Sequence, residues 1–366
     1  MPNLTPVVLS LKGATVELVP YGLTLRRILF DGKDLLVGPE DANELPAKGH
    51  HYRNTIIGRY CNRLPAQEHN VSAGGQSVKF TPEGQGKVAL HGGPNGFDTR
   101  DWAQVSRDQA SLFSSNESGQ FGPVAAEALF ALDSPDGDQG YPGAVHFEAL
   151  YQLKDAANEG GQVKLDIAYR AKLQDGSVVA TPINLTQHTG YTLIGQDGPD
   201  NLQDHVLWLK SKQRVQLDSE TACATGNAEA HPFDFKQKGG LELGYVTKNG
   251  SVDDNILLEP HADDEVVAEL THKDWPYKLQ FFTNQSSVMA YAGNFFDESD
   301  GTRKALHQRP GKAQAGYPKH GAIFLEFHEP VGTVFHPQLQ GHSGSDTLLR
   351  AGQVMTAWHS TVIASK

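Results

Sequence analysis

Glu326 and His188 are the side chains whose settings most suggest chemistry. Glu326 lies in Tyr317-Pro-Lys-His-Gly-Ala-Ile-Phe-Leu-Glu-Phe-His-Glu-Pro330. There Ile323, Leu325 and Phe327 alternate with Ala322, Phe324, Glu326 and His328 at the period of a strand, with Gly321 and Pro330 punctuating its ends. Glu326 therefore shares a face with Phe324 in a run that is otherwise almost wholly apolar. A carboxylate so placed is costly to bury as a charge unless it is paired or hydrogen-bonded. The plainer reading is a face open to solvent. His188 closes a second unusual strand, Thr181-Pro-Ile-Asn-Leu-Thr-Gln-His-Thr-Gly-Tyr191. Ile183 and Leu185 point one way, while Asn184, Thr186 and His188 point the other. A polar stripe ending in His suits solvent, and it equally suits a cleft for a sugar, whose hydroxyls need donors and acceptors at fixed positions.

A third cluster is Gly58-Arg-Tyr-Cys-Asn-Arg-Leu64, followed by Leu90-His-Gly-Gly-Pro-Asn-Gly-Phe-Asp98. The glycines at 92–96 suit a tight loop with its backbone held close to something, and His91 stands at its entrance. Neither phosphate-loop pattern is present. Ser134-Pro-Asp-Gly-Asp-Gln-Gly-Tyr-Pro-Gly143 is a stack of turn signals and reads as scaffold. Asp253 and Asp254 read as turn or edge residues unless a ligand hydroxyl lies near. Spacing disfavours a metal site on His328, Glu329 and His336. No H-E-x-x-H or H-x-H occurs, and His328 and Glu329 point to opposite faces of their strand.

The elements that must position these residues are short strands. Val7–Leu11 and Ala14–Pro20 form an opening hairpin, and Asp31-Gly32 marks a further turn. In Val163–Leu173 the apolar residues share one face, and Lys164, Asp166, Arg170 and Lys172 the other, as in a half-solvated antiparallel strand. Val145–Leu153 behaves alike, with the turn at Asp155–Gly161. Further strands are expected at Val206–Leu209, Asn255–Leu258, Glu265–Leu270, Lys278–Thr283, Val288–Tyr291 and Gln353–Ile363. Residues 39–54 read as a surface loop, and 298–318 as a long polar insertion of the kind that is functional or mobile. The pattern predicts an all-β protein with few short helices: one large antiparallel β-sandwich domain over residues 1–366.

Composition narrows the partners. Hydrophobic residues, at 38%, suffice at 366 residues for a sizeable core, and 38 glycines with 20 prolines fit many turns. The formal net charge of −12, with Lys and Arg scattered, argues against nucleic acid or an anionic membrane as partner. Cys61 and Cys223 are too few for a disulfide framework and lack metal-ligand spacing. No signal-peptide pattern opens the chain and no segment has membrane-spanning length, so a cytoplasmic protein is expected.

Taken together, GRYCNRL, LHGGPNGFD, SPDGDQGYPG, NLTQHTGYTL, HPFDF, VDDN, YAGNFFD and GAIFLEF resemble the aldose 1-epimerase (galactose mutarotase) family, in the family's order from about residue 58 to 326. The resemblance implies a large antiparallel β-sandwich and a monosaccharide substrate, with neither cofactor nor metal, in a monomer or homodimer. It implies Glu326 as general base, His188 as general acid, and Asn62, Arg63, His91 and Asp253 as the residues that hold sugar hydroxyls. Several positions depart from the family's pattern. Thr189-Gly190 stands where a Ser-Tyr pair is usual, Asp254 where a His is, and Met289 where a Gln often is. Phe-His-Glu-Pro replaces a Gln-containing run after Glu326. The two reactive groups are expected to face each other across a groove with a pyranose between them, the charge of each raising the His pKa and lowering that of Glu. Three rival readings remain: a non-catalytic sugar-binding or regulatory protein; a hexose-6-phosphate mutarotase, for which the motifs offer Arg59 and Arg63; and a metal-dependent β-fold isomerase.

Overall fold

The computed structural model describes residues 1–47, 52–157, 160–174, 176, 178–194, 199–250, 252–309, 311 and 315–366. Two large antiparallel sheets dominate. The nine-stranded sheet runs Ala103–Val105, Glu127–Ser134, Val145–Asp155, Gly161–Leu173, Val354–Ser365, Tyr277–Thr283, Ala268–His272, His205–Leu209 and Leu241–Glu242. The six-stranded sheet contains β1 (Thr189–Tyr191), β2 (Asp253–Leu257), β3 (Ser287–Tyr291) and β4 (Ile323–His328), side by side in the order β1-β4-β3-β2. Gln213–Leu217 and Ala224–Ala230 complete that sheet. A four-stranded sheet of residues 7–34 and several two-stranded ladders flank these two. Among the described residues the α-helix is Leu243–Asn249, and no helix is long and apolar enough to cross a membrane.

Period-two alternation decides which side chains go between the sheets. Ile323, Leu325 and Phe327 of β4 join a core cluster that includes Leu25, Ile167 and Phe281, with the Phe281 and Phe327 rings 5.7 Å apart. Each such side chain adds roughly 1.5–3 kcal/mol by leaving water. That burial forces Phe324, Glu326 and His328 to the opposite face of β4, so the hydrophobic register itself presents the carboxylate.

The face of Gly161–Leu173 expected in solvent is instead covered. Phe113 and Phe121 pack on Leu150, Ala168 and Trp358, and Arg170 lies over the Phe113 ring while pairing with Glu117 at 2.8 Å. Asp166 is buried there against Lys154 Nζ at 2.6 Å. The 298–318 insertion is anchored through buried charges. Arg303, Lys304, His307 and Arg309 are buried. Arg303 and Arg309 both pair with Asp200, at 3.0 and 3.1 Å, and Lys304 pairs with the fully buried Asp34 at 3.0 Å. His307 donates through Nε2 to the Asp34 carbonyl and accepts at Nδ1 from the Tyr317 hydroxyl, at 2.8 and 2.7 Å. Residues 310 and 312–314 of the insertion lie outside the described residues, as do 158–159 of the expected 155–161 turn. The loop at 39–54 buries Leu45 and Asn54 and turns Tyr52 and Arg53 inward, with 48–51 outside the described residues.

Candidate active site

The polar face of the six-stranded sheet forms the floor of a cleft of about 320 Å³, at the small end for ligand pockets. Sheet register sets its composition. Thr189 pairs with Leu325 across β1 and β4, so one step back along the chain sets His188 opposite Glu326. On the other side of β4, Glu326 pairs with Met289 of β3, and Met289 with Asn255 of β2. His188, Glu326, Met289 and Asn255 thus form one row across four strands. The next row is Gly190, Phe324, Tyr291 and Asp253.

Main-chain bonds hold His188 in its row. Its N–H donates to the Thr55 carbonyl at 2.9 Å and its carbonyl accepts from Asn54 N at 2.8 Å. The Asn54 amide ties that segment to both Gly190 N and the Val37 carbonyl. His188 Nε2 then meets Glu326 Oε1 at 3.2 Å, with Glu326 2% and His188 11% exposed. The two groups touch directly, so a pyranose has no room between them.

The opposite wall comes from the glycine-rich loop. Arg63 pairs with Leu90 in a short ladder, and just beyond it the backbones of Asn62 and His91 both turn left-handed, with φ of 63° and 51°. Strained backbone of this kind gathers at sites whose geometry the surroundings over-determine. Gly92, at φ 87°, approaches so closely that a Cβ there would overlap the Gly58 carbonyl oxygen, which is why no other residue fits. His91 Nδ1 accepts from Asn62 N at 3.2 Å, so the proton sits on Nε2 and the ring is a donor into the cleft. Tyr52 packs on that ring at 4.6 Å between centroids. The Arg63 guanidinium makes no hydrogen bond or ion pair among the described residues and lines the cleft beside Asp253.

Electrostatics overturn one expectation. Burial pushes the Glu326 carboxyl well above the usual carboxylate range, and Asp253 adds to the rise against the pull of Arg63. Burial also pushes His188 down to about 4, with neighbouring His328 contributing. Desolvation outweighs the mutual attraction expected from sequence, because both groups sit on a dry floor instead of in open water. Both shifts run toward the uncharged forms, so burial favours the neutral pair, with the proton of their contact on Glu326, over the ion pair. His91 is held neutral by burial and by His188, Arg63 and His328. Burial raises the Asp253 pKa against the pull of Arg63.

All six residues expected from sequence line this one cleft: Asn62, Arg63, His91, His188, Asp253 and Glu326. Sequence reading missed Tyr52, Arg53, Phe295 and Phe296, which supply an aromatic side with Tyr291 and Phe324. Arg53 and Tyr52 sat in a segment whose polarity looked like surface, and the one available signal was an aromatic among charges. Arg53 lies 4.8 Å from the Phe296 ring centroid and pairs with Asp300 at 3.1 Å, which ties the insertion to the cleft rim.

Other motifs are scaffold. Arg59 is buried and donates to the Ser134, Pro135, Tyr141 and Pro142 carbonyls, fixing the turn-rich 134–143 segment outside the cleft. Asp254 is no edge residue. It faces away from the cleft, bound to Arg214 at 2.7 Å and to His231 of the HPFDF stretch at 3.2 Å. His328 shares the Glu326 face, whereas the Glu329 carboxylate turns to Ser343 at 2.8 Å. Among the described residues, Asp204, His272 and Asp274 bring three donor atoms within 4.8 Å of one another, but Lys273 already pairs with Asp204 at 2.7 Å. None of these three lines the cleft.

Comparison with known proteins gives consistent results. Residues 7–361 match the model of the family described as aldose 1-epimerase. The chain is 29% identical over 364 residues to a galactose mutarotase from Mus musculus, covering 96% of this chain and 92% of that one. It is 28% identical over 299 residues to an aldose 1-epimerase from Escherichia coli strain K12, covering 77% and 76%. Its fold matches a GalM/aldose epimerase homologue from C. elegans with a TM-score of 0.75 at 20% identity, covering 99% of each chain.

Proposed function

The chain belongs to the aldose 1-epimerase family, isomerases acting on carbohydrates, and from that premise we propose that it interconverts the α and β anomers of a free hexose such as galactose or glucose by proton transfer. The observation that carries the reading is the buried 3.2 Å contact of His188 with Glu326 on the floor of a cleft sized for one sugar.

Once the proton of their contact has moved from Glu326 to His188, Glu326 takes the proton from the C1 hydroxyl while His188 protonates the ring oxygen. The C1–O5 bond breaks, the open aldehyde turns about C1–C2, and closure on the other face returns both protons. O1 and O5 are bonded to the same carbon, so two proton carriers in contact can serve both atoms at once. The neutral pair and the ion pair differ only in which atom holds the shared proton. The cycle therefore needs no net proton from solvent. Asn62, Arg63, His91 and Asp253 hold the hydroxyls, and Arg63 offsets negative charge growing on oxygen as the ring opens. Arg59, committed to main-chain carbonyls, offers nothing to a 6-phosphate. The unpaired Cys61 and Cys223 fit a reducing, cytoplasmic setting.

Polarimetry on freshly dissolved α-glucose, α-galactose, xylose and arabinose, with and without EDTA, tests this reading. Faster approach to an unchanged final rotation, insensitive to EDTA, is expected. Saturable sugar binding with no acceleration would favour the non-catalytic alternative. The pH profile follows from the shared proton. kcat/KM is expected to fall below about pH 4, where His188 takes a second proton. It falls again at a pH well above the ordinary carboxylate range, where the last proton leaves. Rates measured against the uncatalysed reaction at each pH, with circular dichroism to confirm folding, check both limbs.

A further inference from the structure

Met289 occupies the place in the catalytic row next to Glu326, on the side away from His188. We propose that this side chain sets specificity at C2 of the sugar, making the enzyme tolerant of aldoses that lack the 2-hydroxyl. The inference rests on the proton-transfer roles assigned above. With the ring oxygen at His188 and the C1 hydroxyl at Glu326, C5 falls on the His188 side and the 2-hydroxyl, next to the C1 hydroxyl, on the Glu326 side. The neighbouring side chain there, one strand spacing of about 4.8 Å further, is Met289. That side chain is a thioether, 3% exposed and lining the cleft, with no donor and only a weakly accepting sulfur.

The other polar groups of the floor do not replace it. Asn255, next in the row, gives its amide to Ser287 Oγ at 3.0 Å and accepts from Val331 N at 3.1 Å. Tyr291 is two residues along β3, a displacement of roughly 6.8 Å. Asp253 stands opposite Tyr291, one strand further. A 2-hydroxyl over Met289 gains no strong hydrogen bond from the floor, so its removal removes little.

The test compares kcat/KM for glucose, 2-deoxyglucose and 6-deoxyglucose in the wild type, Met289→Gln and Met289→Leu. Because each ratio is taken within one protein preparation, partial misfolding of a variant cancels. The wild type is expected to favour glucose over 2-deoxyglucose by no more than about threefold. Met289→Gln, which restores a donor and an acceptor of similar length, is expected to raise that preference by about tenfold, the worth of one good neutral hydrogen bond. Met289→Leu is expected to leave it unchanged, and all three proteins to share one glucose to 6-deoxyglucose ratio. A wild-type preference of about a hundredfold would overturn the proposal, since a site built to bind a hydroxyl rejects its absence that strongly. So would Met289→Gln leaving the 2-deoxy ratio unmoved, or shifting the 6-deoxy ratio instead. The last result would put C5 over Met289, while continued mutarotation would leave the activity itself standing. Loss of acceleration on all three sugars in the wild type would instead sink the reading on which the inference rests.

Discussion

Glu326→Gln is expected to lower kcat for anomer interconversion by about 10²–10⁴-fold, with KM near the wild-type value. The amide keeps the size and shape of the carboxyl but cannot accept the C1 proton, and the side chain is buried at 2% exposure, where little else can substitute. His188→Asn is expected to cost about as much, since protonating the ring oxygen is the other half of the same step. Because the two groups share one proton, the double variant is expected to lose little more than the worse single one. Polarimetry at saturating sugar separates kcat from KM. A loss confined to KM in either variant would mean that the residue binds the sugar without moving a proton.

The second large effect concerns stability. Lys304 is fully buried and its ammonium sits 3.0 Å from Asp34, itself fully buried and also held by Arg27 at 2.8 Å. Burial pushes the Lys304 pKa down to about 8 despite the attraction of Asp34. Lys304→Met leaves the Asp34 carboxylate with one cation in place of two, and breaking a buried pair in this way costs about 3–5 kcal/mol. The presence of Arg27 puts the expected loss at the lower end, near 3 kcal/mol, read as a fall in the urea midpoint with the m-value unchanged. Asp34→Asn added to Lys304→Met is expected to recover part of it. The same insertion carries Asp300 to Arg53 at the cleft rim, so Lys304→Met is also expected to raise KM. A midpoint within error of the wild type would show that Arg27 alone satisfies Asp34.

How much of this was legible in the sequence depended on range. Local alternation is a backbone fact, so the strands holding Met289 and Glu326 could be read directly, within a residue or two at their ends, whereas Asp253, which reads as a turn or edge residue, opens an interior strand. The glycines after His91 marked a close backbone approach, and Gly92 proves to lie against Gly58. Which carboxylates and cations are buried could not be read that way. The run around Arg303, Lys304 and Arg309 reads only as a long polar insertion, because composition is the available guide. Its partners, Asp34 and Asp200, come from distant parts of the chain and decide the matter. The direction of the His188 and Glu326 pKa shifts failed for the same reason: pairing was inferred from residue types, but dryness is a property of the assembled floor. Tyr52 and Arg53 were hidden by the polar residues around them.

The central claim is that His188 and Glu326, in contact beneath the sugar, carry the anomers through ring opening. Magnetisation transfer between the α and β C1 resonances of an aldose at equilibrium measures that exchange directly, with no net reaction to follow. The wild type is expected to speed exchange in both directions by one factor, while His188→Asn and Glu326→Gln, each still binding sugar, stay near the uncatalysed rate. Wild-type exchange in either variant would contradict the account.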